Sequence, residues 1–435
     1  MTESDSVESE IAGTRRDPPA AARRGIAEAA RGALLIGASL MAMNAFNYVF
    51  TVLAARRLGP PDFGAFAALM GLVLVVNVVA IGIQAAAARR VASSPARSGT
   101  TVRTVRRASW QAGVVLGFLC LAGTPLTSAV LGLPDWSAAA LLAPTALLLT
   151  VIGGQQGLLQ GLEKWGTLGL IYLLFGTGRL ILGALALWLA PTSTGAMAGV
   201  ALGAALTAVA GGTLSRRLLV GTASAPEPSP RARAAFRGEA ASASTMFLAF
   251  FALSSVDVIV ARALLPAHDS GLYAAGLIVT KAVLFLPQFV SVVAFPRLAR
   301  GGSTHVHRWG LALTLAIGGA ISATVALVPA QALSLAGGSA YAPVTGRLWE
   351  FTTLGALLAG TQLLLTTALA RRHLSSAWVL WVALALVVVL GWLAGSWSAL
   401  LDGVLVVNAL VLMGLVILTW RDRLRVEDLR ATDRG

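Results

Sequence analysis

The amino-acid sequence predicts an all-α polytopic membrane protein of about twelve transmembrane helices, arranged as two six-helix lobes. Three observations predict this fold: an apolar composition, a regular series of long apolar segments, and an internal repeat. Of the 435 residues, 57% are hydrophobic and only 12% are charged, whereas a soluble domain carries about 25% charged residues. Because so few charges cannot cover a soluble surface of this size, lipid must contact much of the protein.

Twelve segments are apolar over the length that a helix needs to cross a bilayer, which is about 20 residues. They lie at 33–54, 64–88, 109–132, 137–160, 166–190, 195–214, 240–264, 271–296, 309–333, 347–370, 375–396 and 399–420. A helix satisfies its own backbone hydrogen bonds in lipid, and the alternating pattern of strands is absent. We therefore expect each segment to form one transmembrane helix.

The basic residues predict the orientation. If both termini are cytoplasmic, 27 of the 33 basic residues lie in the tails or in connections on that same side. The opposite side receives four, namely Arg56, Arg57, Arg262 and Arg347. This asymmetry follows the positive-inside rule and predicts a bacterial inner-membrane protein with both termini in the cytoplasm. The net charge of +14 is thus a topology signal, and we expect no nucleic-acid partner.

The polar stretches divide the chain into five parts. We expect a disordered cytoplasmic N-terminal tail at 1–31, an N-lobe at 32–214 and a cytoplasmic linker at 215–238. A C-lobe at 239–420 and a cytoplasmic C-terminal tail at 421–435 follow. The linker contains the sequence SAPEPSP, which is typical of a flexible connection.

The two halves repeat each other. Shifted by 207 residues, the sequence GAFAA at 64–68 lies on GLYAA at 271–275, and RVA at 90–92 lies on RLA at 297–299. After a slip of one residue, ARRLGP at 55–60 resembles ARALLP at 261–266. Each half has six spans, so both copies enter the membrane in the same direction. Such a parallel repeat predicts a pseudo-two-fold axis along the membrane normal, with a solute between the lobes.

Residues 55–67, ARRLGPPDFGAFA, resemble the first helical hairpin of the bacterial polysaccharide biosynthesis flippases. The sequences SVDVI at 255–259, SGLYAA at 270–275 and AFPRL at 294–298 resemble the matching hairpin of the second half. That family belongs to the superfamily of multidrug, oligosaccharidyl-lipid and polysaccharide exporters. The resemblance implies an undecaprenyl-pyrophosphate-linked oligosaccharide as substrate, moved from the inner to the outer leaflet. It also implies contact with membrane lipids and with a polysaccharide polymerase or glycosyltransferase as partner.

The sequence contains no motif that predicts an enzyme. It has no nucleotide-binding loop of the Gly-x-x-x-x-Gly-Lys-Ser/Thr type, and no Cys/His cluster. The single cysteine is Cys120, and the four histidines are His268, His305, His307 and His373. We therefore expect no catalytic residues, no cofactor and no metal site.

Four ionisable residues lie within spans, where a charge costs about 2.5–3.5 kcal/mol at the helix centre. Arg179 and Lys281 lie in the middle of their spans, and we expect them to bind the pyrophosphate of the substrate. The alternative is a structural ion pair, such as Lys281 with Asp257 on the preceding span. Asp257 and Glu350 are candidates for coupling or gating.

Several amide side chains within spans are candidates for the lining of a polar cavity. They are Asn44, Asn47, Asn77, Gln84, Gln288 and Gln362. In membranes such amides also hydrogen-bond between helices, and that is the competing interpretation.

Three functions compete at this stage. The first is a flippase that moves a lipid-linked oligosaccharide by alternating access of the two lobes. The second is a cation-coupled exporter of small amphipathic drugs, which predicts a role for Asp257 or Glu350. The third is a non-transporting membrane scaffold of a polysaccharide assembly complex.

Overall fold

The computed structural model describes residues 20–93, 98–218, 229–284, 305–370 and 377–432. These residues are almost entirely helical and contain no strand. The helices are α1 (Ala20–Ser93), α2 (Ser98–Ala122), α3 (Thr124–Val130), α4 (Ser137–Ala140), α5 (Leu142–Gly161), α6 (Trp165–Leu189), α7 (Ser193–Leu218), α8 (Pro230–Leu264), α9 (Ala267–Leu284), α10 (His305–Leu327), α11 (Pro329–Leu335), α12 (Leu348–Ala370), α13 (Ala377–Leu393) and α14 (Trp397–Thr432), with a 3-10 helix at Ser339–Arg347. The predicted all-α fold class is confirmed.

Helix α1 is a hairpin of two arms, at 20–58 and 60–93, that turns at Gly59. This residue has φ 68° and ψ 171°, and Pro60 follows it. Only glycine adopts such a positive φ without strain, and the proline prevents a continuous helix. The rings of Phe50 and Phe66 are 5.9 Å apart between centroids, whereas a straight helix would separate these positions by about 24 Å. The chain therefore reverses direction within one residue.

Helices α8 and α9 form the equivalent hairpin of the second half. Leu265 is extended there, with φ −94° and ψ 159°, and Pro266 follows it. A residue before proline is forced out of the helical region, so the turn occurs at the same repeat position as Gly59. The structure thus confirms the parallel repeat in its hairpins. We call the end of the bundle that carries both turns the hairpin end, and the opposite end the terminal end.

The described helices make this a multi-pass membrane protein. Eight of them are long and apolar enough to cross a membrane, and the first contains both arms of α1. Helices α2 and α3 are together long and apolar enough for a further span, and they meet at a bend of 51°. The shorter α13 and α9 correspond to the predicted segments 375–396 and 271–296, of which 285–296 lies outside the described residues.

Two expected boundaries differ from the structure. Helix α1 begins at Ala20, within the predicted N-terminal tail at 1–31, in an alanine-rich stretch of high helix propensity. The connection at 55–63 forms no loop, since helical structure continues to Leu58 and resumes at Pro60. Within the predicted linker, α8 begins at Pro230, after Ser229 caps it by accepting a hydrogen bond from the Ala232 amide at 3.2 Å.

The second arm of α1 packs closely on α8 and α9, and glycines allow the approach. A Cβ atom built at Gly64 would come 2.9 Å from the amide nitrogen of Gly271. A Cβ atom at Gly271 would in turn overlap the carbonyl oxygen of Pro60. Gly64 and Gly271 are equivalent residues of the repeat, so the two halves meet at their pseudo-symmetric glycines. Nearer the terminal end, Gly82 packs against the backbone of Ala240.

Candidate functional site

Arg179 lies half-buried in α6 and faces the first hairpin. Its guanidinium carbon is 5.2 Å from the centroid of the Phe50 ring, and its Nη2 atom is 3.3 Å from the sulfur of Met70. Its Nε atom is buried and has no hydrogen-bond partner among the described residues. The guanidinium is therefore surrounded by an aromatic ring and a thioether, and within the described part no carboxylate neutralises it.

Lys281 is half-buried in α9 and lies within electrostatic range of both Asp257 and Arg179. It forms no ion pair with any described residue. Of these two charges, Asp257 acts more strongly on Lys281, and the repulsion by Arg179 is the weaker effect.

Both cations lie within membrane-spanning segments. Phe50, which contacts Arg179, is nine residues from the turn at Gly59, which is about 14 Å along a helix. Lys281 lies fourteen residues after the start of α9 at Ala267, which is about 21 Å. Both distances are shorter than the thickness of the hydrocarbon core, which is about 30 Å.

Asp257 is 3% exposed in α8 and takes its hydrogen bonds from neighbours other than Lys281. Its Oδ2 atom accepts a hydrogen bond from the Tyr273 hydroxyl at 3.0 Å, and its Oδ1 atom accepts one from the Val258 amide at 2.8 Å. The direct ion pair between Asp257 and Lys281 is thus not formed. Sequence reasoning missed Tyr273, although it lies in the repeated GLYAA motif.

Glu350 lies away from the two cations, in the first turn of α12. Its Oε1 atom accepts a hydrogen bond from the Nε of Arg347 at 2.8 Å, and the same guanidinium bonds to Asp402. This cluster ties α12 to α14 at the hairpin end. Glu350 therefore has a partner that explains its position, and the structure does not bring it to the interior cations.

The candidate amides divide into bonded and unbonded groups. Gln84 donates from Nε2 to Oε1 of Gln160 at 3.2 Å and to the hydroxyl of Tyr172 at 3.1 Å. It therefore joins helices of the first half, as the competing interpretation predicts. In contrast, the Oδ1 atom of Asn47 and the Oε1 atom of Gln362 are buried without a partner among the described residues. Asn44 and Asn77 are half-buried, and Gln288 lies outside the described residues.

Two arginines close the hairpin end across the two halves. The Nη2 atom of Arg56 donates to the carbonyl of Ser334, in the last turn of α11, at 2.7 Å. The Nε and Nη2 atoms of Arg262 donate to the carbonyls of Leu131 and Gly132, just after α3, at 2.9 and 3.2 Å. Each arginine thus caps the C-terminal end of a short helix in the other half, where carbonyl groups lack helical partners. The sequence could have indicated this shared role, because the two arginines occupy equivalent positions of the internal repeat.

Two tyrosines strengthen this closure. The Tyr341 hydroxyl donates to the carbonyl of Ala55 at 2.8 Å in a buried position, and the Tyr48 hydroxyl donates to the carbonyl of Leu335 at 3.1 Å. The Tyr341 ring also packs on Phe63, with centroids 6.1 Å apart. These contacts join residues nearly 290 positions apart in the chain, so the sequence pattern did not reveal them.

The terminal end carries a bidentate ionic contact between the halves. Arg90 at the end of α1 forms two hydrogen bonds of 2.8 Å with Glu239 in α8, and it lies 5.4 Å from the Phe236 ring centroid. The hydrogen bonds from Arg90 lower the pKa of the Glu239 carboxyl. Both residues lie outside the apolar part of their helices.

Chemically, the interior of the protein is suited to holding an anion. The buried Nε atom of Arg179 is a donor without a partner among the described residues, and within the described ranges no group of three or more His, Cys, Asp or Glu side chains could hold a metal ion. A ligand with a phosphate or pyrophosphate would satisfy this unpaired guanidinium nitrogen.

Comparisons with known proteins were made for the sequence and for the fold. The family model described as "Polysaccharide biosynthesis protein" matches residues 29–301. A sequence search of curated proteins gives no match. Among solved structures, an inward-facing multidrug resistance MATE family transporter of the MOP superfamily is 14% identical, with TM-score 0.71, covering 90% of this chain and 96% of that chain.

Two further solved structures share the fold. The lipid II flippase MurJ in an inward closed conformation is 12% identical, with TM-score 0.68, covering 88% of this chain and 87% of that chain. An outward-facing MATE family transporter is 13% identical, with a lower TM-score of 0.56, covering 93% of this chain and 97% of that chain.

Proposed function

The chain belongs to the polysaccharide biosynthesis protein family, and from that premise we propose that it flips a lipid-linked oligosaccharide across the bacterial inner membrane. The proposed substrate is an undecaprenyl-pyrophosphate-linked oligosaccharide, moved from the inner to the outer leaflet. The observation that carries the proposal is Arg179, a cation within a span whose buried Nε atom has no hydrogen-bond partner among the described residues. Lys281 is a second cation within a span, in the other half of the repeat. A polysaccharide polymerase or a glycosyltransferase would then use the flipped oligosaccharide.

The energetic cost of the two cations supports an anionic substrate. Each interior charge costs several kcal/mol, on the order of 2.5–3.5 by insertion measurements. Arg179 has no carboxylate partner in the described part of the chain, and Lys281 forms no ion pair there, although Asp257 is the charge that acts on it most strongly. A pyrophosphate group would offset both charges, because a guanidinium can bind phosphate oxygens in a bidentate manner and an ammonium can act as a point charge.

The contacts at the hairpin end support alternating access. We assign the hairpin end to the outer side of the membrane, because the basic residues are concentrated at the other end. The hydrogen bonds of Arg56 and Arg262 then close the outer side, whereas Arg90 and Glu239 connect the two halves at the inner side. Alternating access would break one of these two sets of contacts at a time.

The moving units would be the predicted lobes at 32–214 and 239–420, joined by the linker at 215–238. Within the second lobe, Asp257 is the candidate for coupling or gating, because it is buried and hydrogen-bonded to Tyr273. Glu350 is a weaker candidate, because Arg347 already holds it. Coupling of transport to a cation through Asp257 would be a feature shared with a drug exporter, so the substrate assay must separate the two functions.

The test is a leaflet assay with the purified full-length protein in proteoliposomes. A fluorescent undecaprenyl-pyrophosphate oligosaccharide is inserted, and its accessibility to a membrane-impermeant quencher is followed over time. We expect transfer with the wild type and a loss of about tenfold or more in Arg179→Gln/Lys281→Gln, since two charge-assisted contacts are removed. Lys164→Gln is the matched control, because Lys164 is exposed at the start of α6.

The outcomes separate the three functions. Transfer that survives in the folded double variant would contradict the role of the two cations. No transfer by the wild type, together with export of an amphipathic cationic dye that requires Asp257, would favour the drug exporter. A folded protein that moves neither substrate would favour the scaffold.

A further inference from the structure

We propose that Phe50 is a positioning residue for the interior cation, holding the guanidinium of Arg179 at the place where an anionic substrate binds. This inference rests on the proposed function, because it takes Arg179 as the residue that binds the anionic substrate. The Phe50 ring is the partner of Arg179 while no substrate is bound. The sequence does not single out Phe50, which is one of many apolar residues in its span.

The contact between Phe50 and Arg179 has the geometry of a cation–π interaction. The guanidinium carbon lies 5.2 Å from the centroid of the Phe50 ring, within the distance of about 6 Å at which such contacts are favourable. Phe50 is 0% exposed, so the contact is shielded from water, which strengthens it. Phe66 packs edge-on against the same ring at 5.9 Å and restricts its rotation.

Gly183 provides the space that the Phe50 ring occupies. It lies in α6 one turn after Arg179, and a methyl group at this position would overlap the ring. Residues four positions apart lie on the same face of a helix. The ring therefore lies against the turn of α6 that carries Arg179, and the absence of a side chain at Gly183 permits this approach.

The choice of an aromatic partner has a chemical consequence. A carboxylate beside Arg179 would neutralise its charge and compete with an anionic substrate. An aromatic ring attracts the cation through its quadrupole while leaving the full positive charge and the N–H donors available. The unpaired Nε atom of Arg179 fits this interpretation, because it is buried and has no partner in the described part of the chain.

The experiment measures the affinity of the purified full-length protein in detergent for farnesyl pyrophosphate, with farnesol as the uncharged control. The variants are Phe50→Leu, Phe50→Trp, Arg179→Gln and the double variant Phe50→Leu/Arg179→Gln. Phe63→Leu is the matched control, because Phe63 is 1% exposed in the same aromatic cluster but has no contact with Arg179. Thermal unfolding of each variant measures any general loss of stability.

We expect Phe50→Leu to weaken pyrophosphate binding roughly fivefold and Phe50→Trp to restore it, since tryptophan is the strongest cation–π partner. Phe63→Leu should bind like the wild type. Because Phe50 acts through Arg179, the double variant should bind no more weakly than Arg179→Gln alone, a non-additivity that a purely structural role would not produce.

Two results would overturn the inference, and they differ from the failure of the proposed function. Equal effects of Phe50→Leu and Phe63→Leu, or additive losses in the double variant, would show that Phe50 contributes only packing. If Arg179→Gln itself leaves pyrophosphate affinity unchanged, the proposed binding site is wrong, and the positioning role is excluded with it. The variant Gly183→Ala gives an independent check. Its methyl group should displace the Phe50 ring, so the folded variant should bind farnesyl pyrophosphate as weakly as Phe50→Leu does.

Discussion

Arg56 and Arg262 occupy equivalent positions of the internal repeat, and each donates hydrogen bonds to backbone carbonyls of the other half. The carbonyl groups in question lie at the C-terminal ends of α11 and α3, two short helices at the hairpin end. The closure of this end is therefore pseudo-symmetric. Opening it requires both arginines to leave their carbonyls, which sets an energetic barrier to the outward-facing state.

Removal of both arginines should open the hairpin end more often. A hydrogen bond from a charged group contributes about 1.5–3 kcal/mol, so Arg56→Gln/Arg262→Gln should raise the open population roughly tenfold or more. The measurement is labelling of Ala68→Cys by a membrane-impermeant maleimide, in a Cys120→Ser background. Ala68 is 0% exposed and lies between Gly64 and Gly71 on the helix face that contacts the second half.

Arg57→Gln is the matched control for this experiment. Arg57 is the exposed neighbour of Arg56, and no hydrogen bond in the described part of the chain holds it. Its substitution should leave the labelling rate unchanged. Unchanged labelling in the double variant as well, with the protein folded, would show that other contacts keep this end closed.

The close contact between the repeated glycines predicts a stability effect. In Gly271→Ala the new methyl group would overlap the carbonyl oxygen of Pro60, so we expect a loss of about 1–3 kcal/mol from overpacking. Thermal unfolding in detergent measures the effect. Gly166→Ala is the control, because a Cβ atom there meets nothing within 4 Å, and alanine favours the helix by about 1 kcal/mol. Equal unfolding temperatures for the two variants would contradict the close approach of the halves.

The contact between Arg90 and Glu239 predicts a pH dependence. The hydrogen bonds from Arg90 lower the pKa of Glu239 below its ordinary value. A group with a lowered pKa in the folded state stabilises the protein at pH above its unfolded pKa, and this contribution is lost as the pH falls through the folded pKa. Because both side chains are partly exposed, at 23% and 37%, we expect the contact to contribute no more than about 1 kcal/mol.

The measurement compares the unfolding temperatures of the wild type and Glu239→Gln over a range of pH. The difference in unfolding temperature between the wild type and Glu239→Gln should stay constant from neutral to mildly acidic pH. It should vanish only below the lowered pKa of Glu239. Glu163→Gln is the control, since Glu163 is exposed and has no such contact. A difference that already disappears near neutral pH would contradict the assigned ionic contact.

The helices were predictable because their determinants are local. An apolar segment of about 20 residues must be helical in lipid, whatever its neighbours are. The same is true of the turns, since Gly59 and Leu265 each precede a proline that stops the helix. Helix α1 begins at Ala20, before the apolar segment, because alanine-rich sequence favours a helix even outside that segment.

The sequence predicted the candidate site only as a set of charged residues, each of which costs free energy within a membrane span. Arg179, Lys281 and Asp257 stand out in the sequence because charges within spans are expensive. The alternative interpretation of the sequence paired Asp257 with Lys281, but the Tyr273 hydroxyl donates a hydrogen bond to the Asp257 carboxylate instead. The choice between two nearby partners depends on side-chain direction in the packed bundle, which sequence spacing does not specify.

By itself the sequence determined the all-α membrane fold, the approximate span limits and the repeat, since each follows from hydropathy and residue identity along a short stretch. Only the tertiary structure decided which residues of the two halves meet. It placed Phe50 and Met70 on Arg179, and Arg56 on the carbonyl of Ser334, 278 positions away. Such contacts depend on how closely the helices approach, and that approach follows from the packing of all their side chains together.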